Sequence, residues 1–113
     1  SHLDWTVQAH EASLCPLAVN WPSTHAVTRI GLRDGYRSVH QNEVTDPGFT
    51  WTPTTRADDP KDRHDRIDFV FFGGRNVSVS DCEIIGENTE TSDLVVQPYP
   101  SDHRAVMATV QIP

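Results

Sequence analysis

The run Arg66-Ile67-Asp68-Phe69-Val70-Phe71-Phe72, closed by Gly73-Gly74, reads as a buried strand. Its β-branched and aromatic residues follow one another without a break, and turn residues end it. Asp68 stands inside this apolar stretch, where a carboxylate is costly unless a partner meets it. Ser101-Asp102-His103 supplies a candidate at the mouth of a second run, Arg104 to Ile112. There Ala105, Met107, Thr109 and Gln111 alternate with Val106, Ala108, Val110 and Ile112, the strand period. If the two strands are neighbours, Asp68 takes the ring N–H of His103, fixing its tautomer and favouring the protonated ring. Asp102 then faces the other way, free for a metal ion or solvent.

Working outward, the first half of the chain reads as short helices. Ser1 as N-cap, with Leu3, Trp5, Val7 and Ala12 spaced behind it, predicts a helix from about His2 to Ser13, ended near Pro16. Trp21-Pro22-Ser23-Thr24 starts a second, with Ala26, Val27 and Ile30 at helical spacing and Gly31 as its stop. Leu32 to Val39 reads as a further short turn of helix. Trp5, Trp21 and Tyr36 fall on helix faces and read as core. Beyond Asp46-Pro47-Gly48 the period becomes that of strands: Phe49-Thr50-Trp51-Thr52 with its aromatics on one face, Arg66 to Phe72, Val77 to Ile85 with a bulge near Ile84-Ile85, a short Leu94-Val95-Val96, and Arg104 to Ile112. Helices first and then hairpin-like strands predict an α+β or layered α/β fold with at least four antiparallel strands.

At 113 residues the chain is one domain at most. Hydrophobic residues make up 36%, low for a compact core, and eight prolines with six glycines predict many turns. No window approaches the roughly 18 apolar residues of a membrane span. A formal charge of −7 argues against an unassisted grip on nucleic-acid backbones, which takes a basic stripe. The cations of Lys61, Arg63 and Arg66 are interleaved with Asp58, Asp59, Asp62 and Asp65. That acidic run lacks the Gly and terminal Glu of a calcium loop, so it reads as a solvated loop. Cys15 and Cys82 have no metal-type or redox-type spacing and read as separate buried thiols. His10, His25, His40 and His64 form no ligand spacing and read as surface residues. With no initiating Met, and with Ser1-His2-Leu3-Asp4-Trp5 looking like protein interior, the expectation is a chain that begins inside a longer protein.

Phe49-Thr50-Trp51-Thr52, then Asp65-Arg66-Ile67-Asp68-Phe69-Val70-Phe71, then Ser101-Asp102-His103-Arg104-Ala105-Val106 resemble, in order and separation, the C-terminal motifs of the endonuclease/exonuclease/phosphatase superfamily. Ser1 to Thr6 resembles the residues just after the Gly-Asp-Phe-Asn motif in bacterial members. The resemblance implies residues 1–113 as a single partial domain, the C-terminal part of a four-layer α/β-sandwich with a mainly antiparallel sheet. It implies a divalent-metal-dependent phosphoester hydrolase: a phosphodiesterase, phosphatase or nuclease. His103 would touch the scissile phosphate, Asp68 would orient it, and Asp102, with His103, would stand at the metal, which is magnesium, or manganese or calcium. Ser101 would brace the loop. Phe49 and Trp51 look like packing aromatics beneath the site, with Trp51 also a candidate to touch substrate. Arg66 either pairs with a carboxylate or faces a phosphate.

The same resemblance calls for an early Asn, a metal-binding Glu, a further His and the Gly-Asp-Phe-Asn motif, none of which is in the chain. The expectation is therefore a chain inactive alone, which pairs with the missing N-terminal portion of its domain or associates with itself. The substrate would be a phosphorylated small molecule, a lipid or nucleic acid. The bacterial likeness leads to a bacterial, secreted or periplasmic protein. A different reading is a non-catalytic β-rich module that keeps the Asp68–His103 pair for stability and recognises a protein or glycan.

Overall fold

The computed structural model describes residues 4–113. Its first element is α1, Val7–Glu11. Left-handed backbone at Asp4 (φ 82°) and Ser13 (φ 62°) confines it, so the predicted helix from His2 to Ser13 is cut to its middle. The cap is Thr6, whose hydroxyl accepts the Ala9 N–H; the proposed cap Ser1 lies outside the described residues. Helix α2, Pro22–Arg29, begins with Pro in its first turn and is followed by Gly31 at φ 95°, as the sequence reads. None of its residues is buried, and Trp21 is 40% exposed, which corrects its assignment to the core.

Asp34 then interrupts the helical turn expected from Leu32. Strand β1, Arg33–Asp34, pairs antiparallel with β2, Phe71–Phe72. Helix α3, Gly35–Val39, starts directly behind it, with the Asp34 carboxylate accepting the Tyr36 and Arg37 amides. Gly35 is needed there. Its N–H donates to the Val70 carbonyl at 2.8 Å, and a Cβ would stand 2.9 Å from that oxygen.

The main sheet has the order β4-β3-β5, with β3 Ser78–Gly86, β4 Leu94–Val95 and β5 Ala105–Gln111. β3 and β5 run antiparallel, with Cys82 opposite Ala108 and Ile84 opposite Val106, while β4 joins β3 in parallel. The bulge falls at Ser80, not at Ile84-Ile85. Its physical reason is parity. Val79 is an odd number of positions from Cys82, and one extra residue brings Val79 to the same face as Cys82 and Ile84. Those three, with Val106 and Ala108, pack on Tyr36 and Val39 of α3 and form the core. Cys15 and Cys82 are both buried and unbridged.

The α+β class is as the sequence predicts, but among the described residues four antiparallel strands in succession are not formed. The run 66–72 contributes only Phe71–Phe72 to a ladder, and Ile67 is 50% exposed. Segment 49–52 makes a single antiparallel bridge, Trp51 to Asp65. Its threonines form the buried face: Thr50 and Thr52 are 0% and 1% exposed, whereas Phe49 and Trp51, which the resemblance makes packing aromatics, are only partly covered. The buried threonine hydroxyls have hydrogen-bonding work that aromatic rings cannot do: Thr50 accepts the Ile67 and Asp68 amides, and Thr52 donates to the Asp102 carbonyl.

Candidate active site

Asp68 and His103 meet. The His103 ring Nδ1 lies 2.8 Å from Asp68 Oδ2. An ionised carboxylate only accepts, so Nδ1 carries the proton and Nε2 is the atom left for chemistry. The two side chains are 39% and 38% exposed, which corrects the picture of a buried carboxylate needing rescue. Nor do they come from neighbouring strands, since β2 and β5 belong to different sheets. The hydrogen bond that His103 donates to Asp68, with the added negative charge of Asp68 and Asp102, raises the His103 pKa above its ordinary value. The Trp51 ring stands edge-on to the imidazole at 5.0 Å between centroids, so Trp51 lies beside the site and not beneath it.

The loop that presents His103 is tied down on every side. Ser101 Oγ accepts the His103 N–H at 3.1 Å. Thr52 Oγ donates to the Asp102 carbonyl at 2.8 Å. The Tyr99 hydroxyl lies 2.9 Å from the His103 carbonyl and 3.1 Å from that of Ile85, pointing its one proton between them. Arg104, the next residue, has a side chain fully removed from solvent. Its guanidinium forks onto Glu87 at 2.6 and 2.8 Å and donates to the Phe49 and Thr52 carbonyls at 3.0 and 3.1 Å. Burial by itself raises the Glu87 carboxyl, and the hydrogen bonds from Arg104, Thr91 and the backbone, with the Arg104 charge, together outweigh it, leaving Glu87 below its ordinary range.

Arg66, a candidate for substrate, is spent elsewhere. Its side chain is 1% exposed and holds both Asp4 and Asp34 in forked pairs, with Arg37 closing a cluster of two carboxylates and two guanidiniums. Phe69 and Tyr36 rings flank the guanidinium at 4.8 and 5.5 Å. Buried charge of this kind is tolerated only when paired. The alternative of a carboxylate partner is therefore the one realised, although the partners are Asp4 and Asp34 and not the acidic loop. His64, read as a surface residue, is 6% exposed: its Nδ1 faces the Thr52 N–H and its Nε2 the Thr55 hydroxyl.

Asp102 is exposed on the loop. Among the described residues no group of three or more His, Cys, Asp or Glu side chains could hold a metal ion. With Nδ1 given to Asp68, His103 could offer only Nε2, and beside it Asp102 would be a single carboxylate ligand. Hard cations such as magnesium take about six oxygens, usually one or two carboxylates plus waters and substrate oxygens. These residues do not make a metal centre by themselves. His2 lies outside the described residues.

Thr50, Thr52, Tyr99, Glu87 and Arg104 were not singled out from the sequence. The available signal was the Thr-x-Thr alternation itself, since threonine at both positions of one strand face equips that face for hydrogen bonding as well as packing.

An uncharacterized protein of Caenorhabditis elegans is 34% identical to this chain over 119 residues, an alignment covering 96% of the chain and 36% of the relative. The chain thus spans just over a third of the length of that curated relative. This similarity to a nematode protein corrects the expectation of a bacterial origin. No protein-family model matches the chain, and no solved structure does.

Proposed function

We propose that this chain carries the phosphate-facing His–Asp pair of a phosphoester hydrolase. The observation that supports the reading best is the 2.8 Å contact between His103 Nδ1 and Asp68, made at a half-exposed ring whose Nε2 remains available. A protonated imidazole held this way presents its Nε2–H to a non-bridging phosphoryl oxygen. Charge builds on that oxygen as a nucleophile attacks, and a donor already in place stabilises it without reorganising. Asp68 offsets the positive charge and prevents the ring from turning. Trp51 gives the phosphoester's alcohol portion an aromatic wall next to the imidazole. Asp102 offers one ligand to a divalent cation, magnesium by preference, whose other ligands come from elsewhere in the protein.

The partner we propose is a further segment of the same protein, or a second copy of this chain, laid along β5. That strand is at the edge of its sheet, and Met107, Val110 and Ile112 are 40%, 42% and 77% exposed. An open edge with apolar side chains is a template for another strand. A monodisperse monomer by light scattering, with no companion segment present, would count against it.

The deciding assay is magnesium-dependent hydrolysis of a chromogenic phosphodiester and phosphomonoester by the full-length protein. His103→Ala should lower kcat by about 100-fold or more, the usual range for a positioned proton donor. Activity that needs the imidazolium should fall as pH rises through the raised His103 pKa. In Asp68→Asn that fall should begin at lower pH. Hydrolysis untouched by His103→Ala would remove the hydrolase reading and leave a binding module that keeps the pair for stability.

A further inference from the structure

One residue of segment 49–52 holds the backbones on both sides of the Asp68–His103 contact. Thr50 is 0% exposed. Its hydroxyl oxygen accepts two successive amides, Ile67 N–H at 3.0 Å and Asp68 N–H at 3.1 Å. Its carbonyl accepts Arg104 N–H at 2.7 Å, one residue beyond His103. Its own N–H donates to the Asp65 carbonyl at 3.1 Å, tying it again to the segment that leads to Asp68. Valine would fill the same space, but it has no acceptor, and two amides would lose their partner. The other braces of the loop each act on the His103 side alone: Ser101 on its amide, Tyr99 on its carbonyl and Thr52 on the Asp102 carbonyl.

The geometry points to Thr50 as the positioning residue of the pair, its hydroxyl setting where Asp68 stands and its carbonyl setting where the His103 loop stands. Asp68 and His103 lie in the segments before β2 and β5, and those strands belong to different sheets, so no ladder of strand hydrogen bonds keeps the pair in register. The hydroxyl of Thr50 does that work. Its catalytic meaning rests on His103 being the phosphate-facing group; its structural meaning does not.

The test is an NMR titration of the His103 ring in the 113-residue chain, with no substrate. Asp68 and Asp102 are the charged groups that favour its protonated form. In Thr50→Val the midpoint should fall toward the ordinary imidazole value. In Thr50→Ser, which keeps the acceptor, it should stay raised. Ile84→Val, a core substitution remote from these hydrogen bonds, should lower stability and leave the midpoint alone, separating positioning from general loosening. A folded Thr50→Val with an unchanged midpoint overturns the inference, as does a Thr50→Ser midpoint that falls as far. Should Thr50→Val not fold, the native chain still decides: slow hydrogen exchange at the Ile67 and Asp68 amides, kept in Thr50→Ser, supports the role, and fast exchange at both refutes it. The expected titration response, together with no hydrolysis by the full-length protein, would sink the hydrolase reading and leave the positioning intact.

Discussion

Replacing Arg104 by Met keeps the long stem and removes the charge at the point where three segments join. The guanidinium makes two bonds to Glu87 and one each to the Phe49 and Thr52 carbonyls, with its side chain wholly buried. Stranding one partner of a buried ion pair costs about 3–5 kcal/mol. Glu87 is 18% exposed, so it regains some water, which pulls the figure to the lower end. The two carbonyls add roughly 1 kcal/mol each where water cannot replace the donor. These terms overlap, and the expected loss is about 4 kcal/mol. Urea unfolding followed by tryptophan fluorescence measures it, the chain having three Trp residues. Arg104→Lys should lose about half as much, because it keeps the charge but not the planar fork. The double variant Arg104→Met/Glu87→Met should recover about 1–2 kcal/mol over Arg104→Met, since no charge is left stranded. A loss below about 1 kcal/mol for Arg104→Met, or a double variant worse than the single one by the full cost of Glu87→Met, would refute the claim that this pair clamps the loop.

Acid should destabilise the fold through Asp4 and Glu87. For each carboxyl, burial raises the pKa, and hydrogen bonds together with the charge of the paired arginines more than reverse it, so both are held below their ordinary values. A depressed folded pKa gives stability that is complete above the unfolded carboxyl values of about 4 and is lost as pH falls through the folded ones. Asp65, raised by burial, has the opposite sign. Glu87→Gln should therefore flatten the acid limb of a stability–pH curve measured by urea midpoints. At Gly48, φ is 64° and a Cβ would run into the Tyr36 ring. Gly48→Ala should cost about 2–4 kcal/mol from overpacking and left-handed backbone together, read as a lowered thermal midpoint with Tyr36 displaced.

The local rules that need only neighbouring residues were legible in the chain. Pro22 opens a helix and Gly31 stands past its end because ring and missing side chain constrain φ wherever they stand. The alternation from Ala105 onward is a strand, and Asp68 with His103 is a pair an acid and an imidazole form once adjacent. What sequence could not say is which backbone would be answered by a side chain. Apolar patterning counted residues 66–72 as a strand and set the aromatics of 49–52 on one strand face without saying which face would be buried. Long-range hydrogen bonding decided both. Thr50 answers the Ile67 and Asp68 amides, Arg104 answers Phe49 and Thr52, and Asp4 with Asp34 consumes Arg66. Each joins residues 17 to 62 positions apart, a separation over which no periodicity carries information. Composition and pattern thus determined which groups were available; the tertiary structure decided which of them met, because a buried polar atom is satisfied by whatever the fold brings within hydrogen-bond reach.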